Sequence, residues 1–208
     1  YQLRGNAPTG AKEEYYSFDW ANAHFVSLDS SQDYTEGSTQ HNWLVRDLKS
    51  TTQPWIFVFF HYPAYSSGAH GSTDAVQTQL VPVFETYGVD IVFAGHDHQY
   101  ERTCPIRKGA CTTPQAGGVL YFVTGGAGAP LYGAAGDWFT EYGAEVYHFL
   151  LVDVQDCRLR VEAFDVEGQT FDSYKLDLCS SGPSRIPNEH RRSLAAPVRP
   201  LPVSDVAR

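Results

Sequence analysis

The sequence predicts an α/β fold, and three observations support this prediction. Residues 55–60 and 89–94 form two predominantly apolar runs of strand length, the pattern of strands that are covered on both faces. Each run is preceded by a segment with the apolar period of a helix. From residue 120 onward, apolar and polar residues alternate in short segments, which favours further strands.

The predicted strands follow from alternation of apolar and polar residues or from short apolar runs. In the first hairpin, Ala21-Asn22 supplies the turn between two alternating segments. The predicted strands are, in chain order, residues 15–20, 23–29, 55–60, 89–94, 120–124, 147–154, 158–164 and 170–176.

Two helices are predicted, over residues 38–50 and 74–87. Gly88 is expected to end the second helix in a left-handed conformation, and Pro82 is expected to kink or restart it. The buried side of the first helix is predicted to contain Trp43, Leu44 and Leu48.

Composition and charge limit the classes of function. Hydrophobic residues make up 42% of the 208 residues, which is typical of a globular domain, and no run approaches the roughly 18 apolar residues of a membrane span. The net charge is −9 although residues 180–208 carry five arginines, so the rest of the chain is strongly acidic. We therefore expect neither a nucleic-acid nor a membrane partner.

The chain is expected to comprise one domain portion, residues 1–179, and a Pro/Arg-rich tail, residues 180–208. The tail has no apolar period and is predicted to be disordered. Because the chain contains no methionine, we expect it to be part of a longer translation product.

Four cysteines form two local pairs. Cys104 and Cys111 bracket a short loop, and Cys157 and Cys179 flank a predicted hairpin centred near Glu167-Gly168. Two disulfides would indicate a secreted or otherwise extracytoplasmic protein. The alternative is four unpaired buried thiols.

Three histidines follow the ends of the two apolar runs. His61 ends one run, and His96 and His98 come directly after the other. Ligands collect at the carboxyl ends of strands in open α/β sheets, so these side chains should converge. A single histidine near a strand end is more often structural, but three placed in this way favour a metal site for zinc, iron or manganese.

These histidines lie in specific motifs. His61 ends the run Val-Phe-Phe-His, and residues 95–102 read Gly-His-Asp-His-Gln-Tyr-Glu-Arg. The two runs resemble those of the calcineurin-like metallophosphoesterases, and they look most like the branch of the purple acid phosphatases and their bacterial relatives. Residues 15–19, 24–29 and 124–128 match that branch as well.

The resemblance covers roughly residues 15–176 and implies a four-layer α-β-β-α sandwich. It also implies metal-dependent hydrolysis of phosphate esters, in which a metal-bound hydroxide attacks phosphorus. By resemblance, His61 and His96 hold one ion and His98 the other, and His70 contacts substrate or acts as general acid. The alternative for His70 is an ordinary exposed loop histidine.

The upstream motifs of the family, which include the bridging aspartate, have no match in this sequence. We therefore expect the N-terminal portion of the sandwich and its ligands to be missing, and the chain alone to be inactive or severely impaired. The exposed half-sandwich is expected to associate with the missing half or with a second chain. Two alternatives remain, a non-catalytic metal- or phosphate-binding remnant and a purely structural fragment.

Other polar residues are expected to have structural roles. His24 and His148 are predicted to lie in the core, and His41 near the polar face of its helix. Asp97 would either orient a neighbouring histidine or point into solvent. Glu101 and Arg102 are predicted to form an ion pair.

Overall fold

The computed structural model describes residues 10–11 and 14–179, so the predicted tail lies outside the described residues. The helices are α1 (Thr39–Ser50), α2 (Asp74–Gln79) and α3 (Val81–Tyr87). The strands are β1 (Tyr16–Trp20), β2 (Ala23–Ser27), β3 (Trp55–Phe60), β4 (Ile91–Ala94), β5 (Tyr100–Thr103), β6 (Ile106–Arg107), β7 (Ala110–Cys111), β8 (Leu120–Thr124), β9 (Thr140–Ala144), β10 (His148–Gln155), β11 (Arg158–Asp165) and β12 (Thr170–Asp177).

Seven strands form a mixed sheet in the order β1-β2-β3-β4-β8-β5-β9. Strands β2, β3, β4 and β8 are parallel, so their carboxyl ends lie at one edge of the sheet. Strands β1, β5 and β9 are antiparallel to their neighbours. A separate antiparallel sheet has the order β10-β11-β12, and β6 and β7 form a short hairpin.

Local sequence signals determine the helix boundaries. The Ser38 side chain caps α1 by accepting a hydrogen bond from the backbone N–H of His41 at 3.2 Å. Gly88 ends α3 with a φ of 69°, a conformation that glycine adopts without steric cost. The second predicted helix is interrupted at Leu80 and restarts as α3 with Pro82 in its first turn, as Pro82 predicted.

The described residues form three layers, and the predicted α/β fold class is confirmed. The helices pack on one face of the large sheet, where Leu44, Leu48 and Phe84 contact the core residues of β3 and β4. The three-stranded sheet packs on the other face through Leu159 and Val161. The fourth, helical layer of the expected sandwich is not present within residues 10–11 and 14–179.

Both predicted disulfides are confirmed. Cys104 bonds to Cys111 across the β6–β7 hairpin, and Cys157 bonds to Cys179 across the β11–β12 hairpin. The alternative of four unpaired thiols is therefore wrong.

A buried histidine ties the edge strand β1 to α1. His24 Nδ1 lies 2.7 Å from Asp19 Oδ1, and His24 Nε2 lies 2.8 Å from Asp47 Oδ2. Ser17 and Gln53 donate hydrogen bonds to the same two carboxylates. Both ring nitrogens must donate to satisfy this arrangement, so the geometry favours the imidazolium.

The other two histidines with expected structural roles differ from each other. His148 is buried and hydrogen-bonded, as predicted, with Nδ1 2.8 Å from the carbonyl oxygen of Val146. The position predicted for His41 is wrong, because this residue is buried rather than on a polar face. Gln40 and Asp47 on the same helix are buried too. The buried surface of α1 therefore includes polar residues as well as its apolar ones.

A bidentate ion pair joins the seven-stranded sheet to the three-stranded sheet. Arg102 on β5 donates from Nε and Nη2 to Asp172 on β12, at 2.7 and 3.0 Å. The Tyr100 hydroxyl donates to the same carboxylate at 2.6 Å. The predicted ion pair between Glu101 and Arg102 is wrong, because adjacent strand residues point to opposite faces of a sheet.

Several large apolar side chains are exposed, and two of the surfaces that carry them are on strands at the outside of the sheets. On edge strand β1, Trp20 is 74% exposed. On the outer face of the three-stranded sheet, Phe149 and Leu151 are 57% and 52% exposed, and Phe149 stacks on Phe164 with ring centroids 5.3 Å apart. Within the described residues, no helix has both the length and the apolar character needed to cross a membrane.

Candidate metal centre

His61 and His96 meet at the carboxyl ends of β3 and β4. These strands are adjacent and parallel, so the residues that follow them share one edge of the sheet. His61 Nε2 lies 3.1 Å from His96 Nδ1. The predicted convergence of these two histidines is therefore present in the structure.

The separation of these two nitrogens fits a shared metal ion. With zinc–nitrogen bonds of about 2.0–2.1 Å, two imidazoles on one tetrahedral ion place their nitrogens about 3.4 Å apart. The same separation also suits a hydrogen bond between one protonated and one bare ring nitrogen. The two histidines alone provide half of a tetrahedral ligand set.

His96 has an uncommon backbone conformation. Its φ is 67°, in the left-handed region that side chains other than glycine rarely adopt. Such a conformation costs about 1–3 kcal/mol and persists where the surrounding structure holds it in place. Burial lowers the pKa of His96, and the neighbouring imidazoles of His70 and His61 lower it further. Both causes favour the neutral ring, which is the form that binds a metal.

His98 is held by contacts of its own. Its Nδ1 donates a hydrogen bond to the carbonyl oxygen of Pro130 at 2.9 Å, so in the neutral ring Nε2 carries the free lone pair. A hydrogen bond of this kind orients metal-binding histidines in known sites. The geometry is compatible with the predicted role of His98 on a different ion from His96, and that role stays a prediction.

His70 reaches the pair from the loop between β3 and α2. The ring is exposed, and its centroid lies 4.3 Å from that of His96. The structure thus brings His70 next to the predicted ligands, while its role toward substrate stays a prediction.

Asp97 is fully buried and does not point into solvent. Its carboxylate accepts hydrogen bonds from Ser66 Oγ and from the backbone N–H of His70, the latter at 2.9 Å. Asp97 was expected to orient the side chain of a neighbouring histidine, but its carboxylate instead binds Ser66 and the backbone of His70.

Glu101 is also fully buried and binds the same loop. It accepts hydrogen bonds from the backbone N–H and the hydroxyl of Ser67, each at 2.8 Å, and from the hydroxyl of Thr140. Two buried carboxylates of the 95–102 motif therefore hold the loop that carries His70.

Two tyrosines surround the histidines, and the sequence did not point to either. Tyr62 packs edge-on against His96 with ring centroids 4.7 Å apart. The Tyr132 hydroxyl donates to the carbonyl oxygen of His96 at 3.0 Å, and its ring lies 4.9 Å from that of His98. Tyr62 could have been found from its place directly after His61, whereas Tyr132 lies in a glycine-rich loop without any periodicity.

The described residues do not complete a metal site. Among them, no group of three or more histidine, cysteine, aspartate or glutamate side chains is arranged to hold one metal ion. Asp97 and Glu101 are the nearest carboxylates in sequence, and both are occupied with the His70 loop.

Comparisons with known proteins find similarity to phosphoesterases. The family model for calcineurin-like phosphoesterases matches residues 5–100. Purple acid phosphatase 18 of Arabidopsis thaliana is 42% identical over 100 residues, which are 46% of this chain and 23% of that protein. The structure of a purple acid phosphatase from yellow lupin (Lupinus luteus) seeds superimposes with a TM-score of 0.72 and 25% identity, over 97% of this chain and 38% of the lupin chain.

The resemblance to the purple acid phosphatases is confirmed. The chain matches less than a quarter of the length of its curated Arabidopsis relatives, so the activity of the whole protein is a matter for proposal. One of these relatives, 35% identical over 134 residues, is described as a probable inactive purple acid phosphatase, number 27 of Arabidopsis thaliana. Purple acid phosphatases use binuclear metal centres, and the assignment of His61, His96 and His98 to such a centre stays a prediction for this chain.

Proposed function

We propose that this chain supplies the histidine part of a binuclear metal centre that hydrolyses phosphate esters. The observation that carries the proposal is the 3.1 Å separation between His61 Nε2 and His96 Nδ1 at the ends of two parallel strands. The remaining ligands, including the bridging carboxylate, would come from residues outside the described part of the chain or from a longer protein.

His61 and His96 would hold one ion and His98 the other. When bound, such ions supply positive charge for the phosphate and lower the pKa of a water molecule so that it can attack phosphorus. The histidine set is compatible with iron, zinc or manganese. The Pro130 carbonyl oxygen favours the His98 tautomer that carries its proton on Nδ1, and the ring of His96 lies against that of His61.

His70 would contact the phosphate or donate a proton to the leaving oxygen. Its exposed ring lies beside His96, so a substrate bound at the ions would lie within its reach. Tyr132 packs against both His70 and His98 and would restrict the motion of their rings. An imidazole placed in this way can act as a general acid near neutral pH.

The charge of the chain favours a role for bound cations in this function. The net charge is −9, so the protein as a whole repels an anionic phosphate ester. The ions are then the main local source of positive charge for the transition state.

The test compares this chain with the longer protein encoded by its complete reading frame. After equilibration with zinc, manganese or iron, metal content is measured by mass spectrometry and hydrolysis by release of p-nitrophenol from p-nitrophenyl phosphate. We expect two ions and turnover in the longer protein, with one weakly held ion or none and little turnover in the 208-residue chain.

His96→Ala is the decisive variant in the longer protein. It should remove metal and reduce turnover by at least about 100-fold, because a lost ligand costs more than a lost outer-shell contact. His190→Ala, which removes a histidine of the 180–208 segment, is the matched control and should change neither. Full turnover by His96→Ala would refute the proposal.

A non-catalytic metal- or phosphate-binding role is the second candidate. The absence of a three-ligand group within the described residues and the probable inactive Arabidopsis relative favour it. In that case the longer protein would bind metal or inorganic phosphate without hydrolysing the ester.

The two disulfides support a secreted or otherwise extracytoplasmic location, which we propose as part of this function. The exposed apolar side chains of β1 and β10 would be covered by the missing portion of the sandwich or by a second chain. A secretion assay with a tagged full reading frame tests the location, and retention of the tagged protein in the cytoplasm would refute it.

A further inference from the structure

The loop that carries His70 has an ordered backbone although the His70 ring is exposed. Thr73 donates to the carbonyl oxygen of Pro63 at 3.0 Å and closes the loop at its base. Ser66 and Ser72 also bind each other across the loop. A side chain that acts on a bound substrate must keep one geometry, so the contact that fixes His70 itself is functionally important.

That contact is made by Asp97. The side chain is fully buried, and its two oxygens bind two points of the loop, Ser66 Oγ and the backbone N–H of His70. Ser66 Oγ in turn accepts a hydrogen bond from the backbone N–H of Gly68 at 3.1 Å. The carboxylate therefore fixes the chain on both sides of the turn that ends at His70.

Two glycines leave room for Asp97: Gly68 in the His70 loop and Gly125 directly after β8. A Cβ atom at Gly68 would lie 2.4 Å from Asp97 Cγ, and one at Gly125 would lie 2.2 Å from the backbone oxygen of Asp97. Both distances are shorter than non-bonded atoms can approach each other. Both positions need glycine because the Asp97 residue occupies the space that a side chain would fill.

Asp97 also connects the loop to the histidine ligands, since it lies between His96 and His98 in the chain. Its backbone N–H donates to the carbonyl oxygen of Gly95 at 2.9 Å, and its own carbonyl oxygen accepts from Gln99 at 2.9 Å. The backbone of Asp97 is thus held by tight turns on both sides. Its carboxylate, fixed in this way, holds the loop through Ser66 and His70.

We propose that Asp97 is a positioning residue, which holds the backbone of His70 so that the His70 ring faces the His61–His96 pair. This inference rests on the proposed function for its catalytic consequence, although the positioning itself does not depend on it. Asp97 touches neither the substrate site nor an ion in this role, and it acts only through His70. Glu101 differs from Asp97 because it binds Ser67 and Thr140 and leaves His70 free of contact with its carboxylate.

The first experiment measures the positioning directly, without reference to activity. Amide hydrogen exchange of His70 is followed by NMR in the 208-residue chain, in Asp97→Ala and in Asp97→Asn. Protection of the His70 amide should fall at least about tenfold in Asp97→Ala, because a charge-assisted hydrogen bond is lost. Asp97→Asn keeps an acceptor oxygen and should restore part of the protection.

Asp90→Asn is the matched control. Asp90 is another buried carboxylate, and it accepts from the backbone N–H of Ile56 at the opposite end of the sheet. This variant should leave the exchange of the His70 amide unchanged. If Asp97→Ala does not fold, Ser66→Ala removes one of the two loop contacts and should reduce His70 protection in the same direction.

The second experiment uses the longer protein and p-nitrophenyl phosphate. Asp97→Ala should lower kcat about 10- to 100-fold while KM stays within about twofold, because the misplaced His70 affects the reaction more than binding. Asp97→Asn should recover part of kcat, and Asp90→Asn should leave both constants unchanged.

The outcomes separate this inference from the proposed function. Unchanged His70 exchange in Asp97→Ala overturns the inference whatever the activity is. Reduced protection with unchanged kcat overturns the catalytic consequence. If the unmodified longer protein hydrolyses no ester, the proposed function fails, while reduced protection in Asp97→Ala still supports the positioning.

Discussion

His61 Nε2 and His96 Nδ1 lie 3.1 Å apart at the ends of neighbouring parallel strands. Neither nitrogen is part of the hydrophobic core, and each belongs to a different strand end. Their proximity therefore follows from the pairing of β3 with β4 and from the left-handed turn at His96.

The 208-residue chain should bind zinc weakly through these two nitrogens. His61→Gln and His96→Gln should each weaken binding at least about tenfold, since even outer-shell changes cost about 10- to 100-fold in metal sites. Isothermal titration calorimetry with zinc measures this. His98→Gln is the control and should keep nearly the same affinity, because the two nitrogens that lie 3.1 Å apart belong to His61 and His96, whereas His98 Nδ1 is hydrogen-bonded to the Pro130 carbonyl oxygen. Equal binding by His61→Gln and the unmodified chain would contradict the prediction.

The ion pair between Arg102 and Asp172 should contribute strongly to stability. The Asp172 side chain is only 7% exposed, so Asp172→Ala leaves a buried guanidinium without its carboxylate and should cost about 3 kcal/mol of unfolding free energy. Urea denaturation followed by circular dichroism measures it.

Asp177→Ala is the control for this prediction on the same strand. Asp177 pairs with Arg158, but its side chain is 52% exposed, and exposed pairs contribute about 0–1 kcal/mol. A similar loss of unfolding free energy in the two variants would show that the buried pair stabilises the fold no more than the exposed pair does.

Much of the sheet could be predicted from the sequence because its central strands are short apolar runs between helical segments. Strand β5 was missed, since Tyr-Glu-Arg-Thr at residues 100–103 has no continuous apolar character, and β9 was missed because Gly143 interrupts its alternation. The partner of Arg102 could not be predicted, because Asp172 lies on a different sheet and only tertiary packing brings the two together.

The candidate site likewise contains some features that the sequence predicted and others that only the structure reveals. Strand ends predicted the meeting of His61 and His96, because parallel strands end at one edge. The resemblance pointed to His70, but only the structure reveals how Asp97 holds its loop. Tyr132 reaches the site through a hydrogen bond to the backbone of His96, which is 36 residues away and leaves no local signal.

His24 should make stability fall as pH rises. Burial alone would lower the pKa of His24, but its hydrogen bonds to Asp47 and Asp19 outweigh burial, and the folded pKa is raised. The stabilisation is therefore fully present below the unfolded pKa of about 6.5 and is lost as pH rises through the folded pKa. We expect the difference in unfolding free energy between the unmodified chain and His24→Gln to shrink as pH is raised from 5 to 9.

His148 serves as the control of opposite sign. Burial lowers its pKa, although the hydrogen bond with the carbonyl oxygen of Val146 opposes this, so its contribution favours the folded state at higher pH. Urea denaturation at each pH for the single variants His24→Gln and His148→Gln separates the two. A difference for His24→Gln that grows with pH would contradict the imidazolium assignment.

The exposed outer face of the three-stranded sheet should drive self-association of the 208-residue chain. Leu151 is 52% exposed on this face, beside the stacked pair Phe149 and Phe164, so a contact between two such faces would bury apolar area. Leu151→Lys should therefore reduce association, measured as the concentration dependence of the sedimentation coefficient. Asp153→Lys is the control. Asp153 lies two residues further along the same face, so this substitution introduces a lysine there without removing apolar surface. Equal association in all three proteins would mean that this face is not the contact surface, whereas a decrease in Leu151→Lys alone would assign the association to its apolar residues.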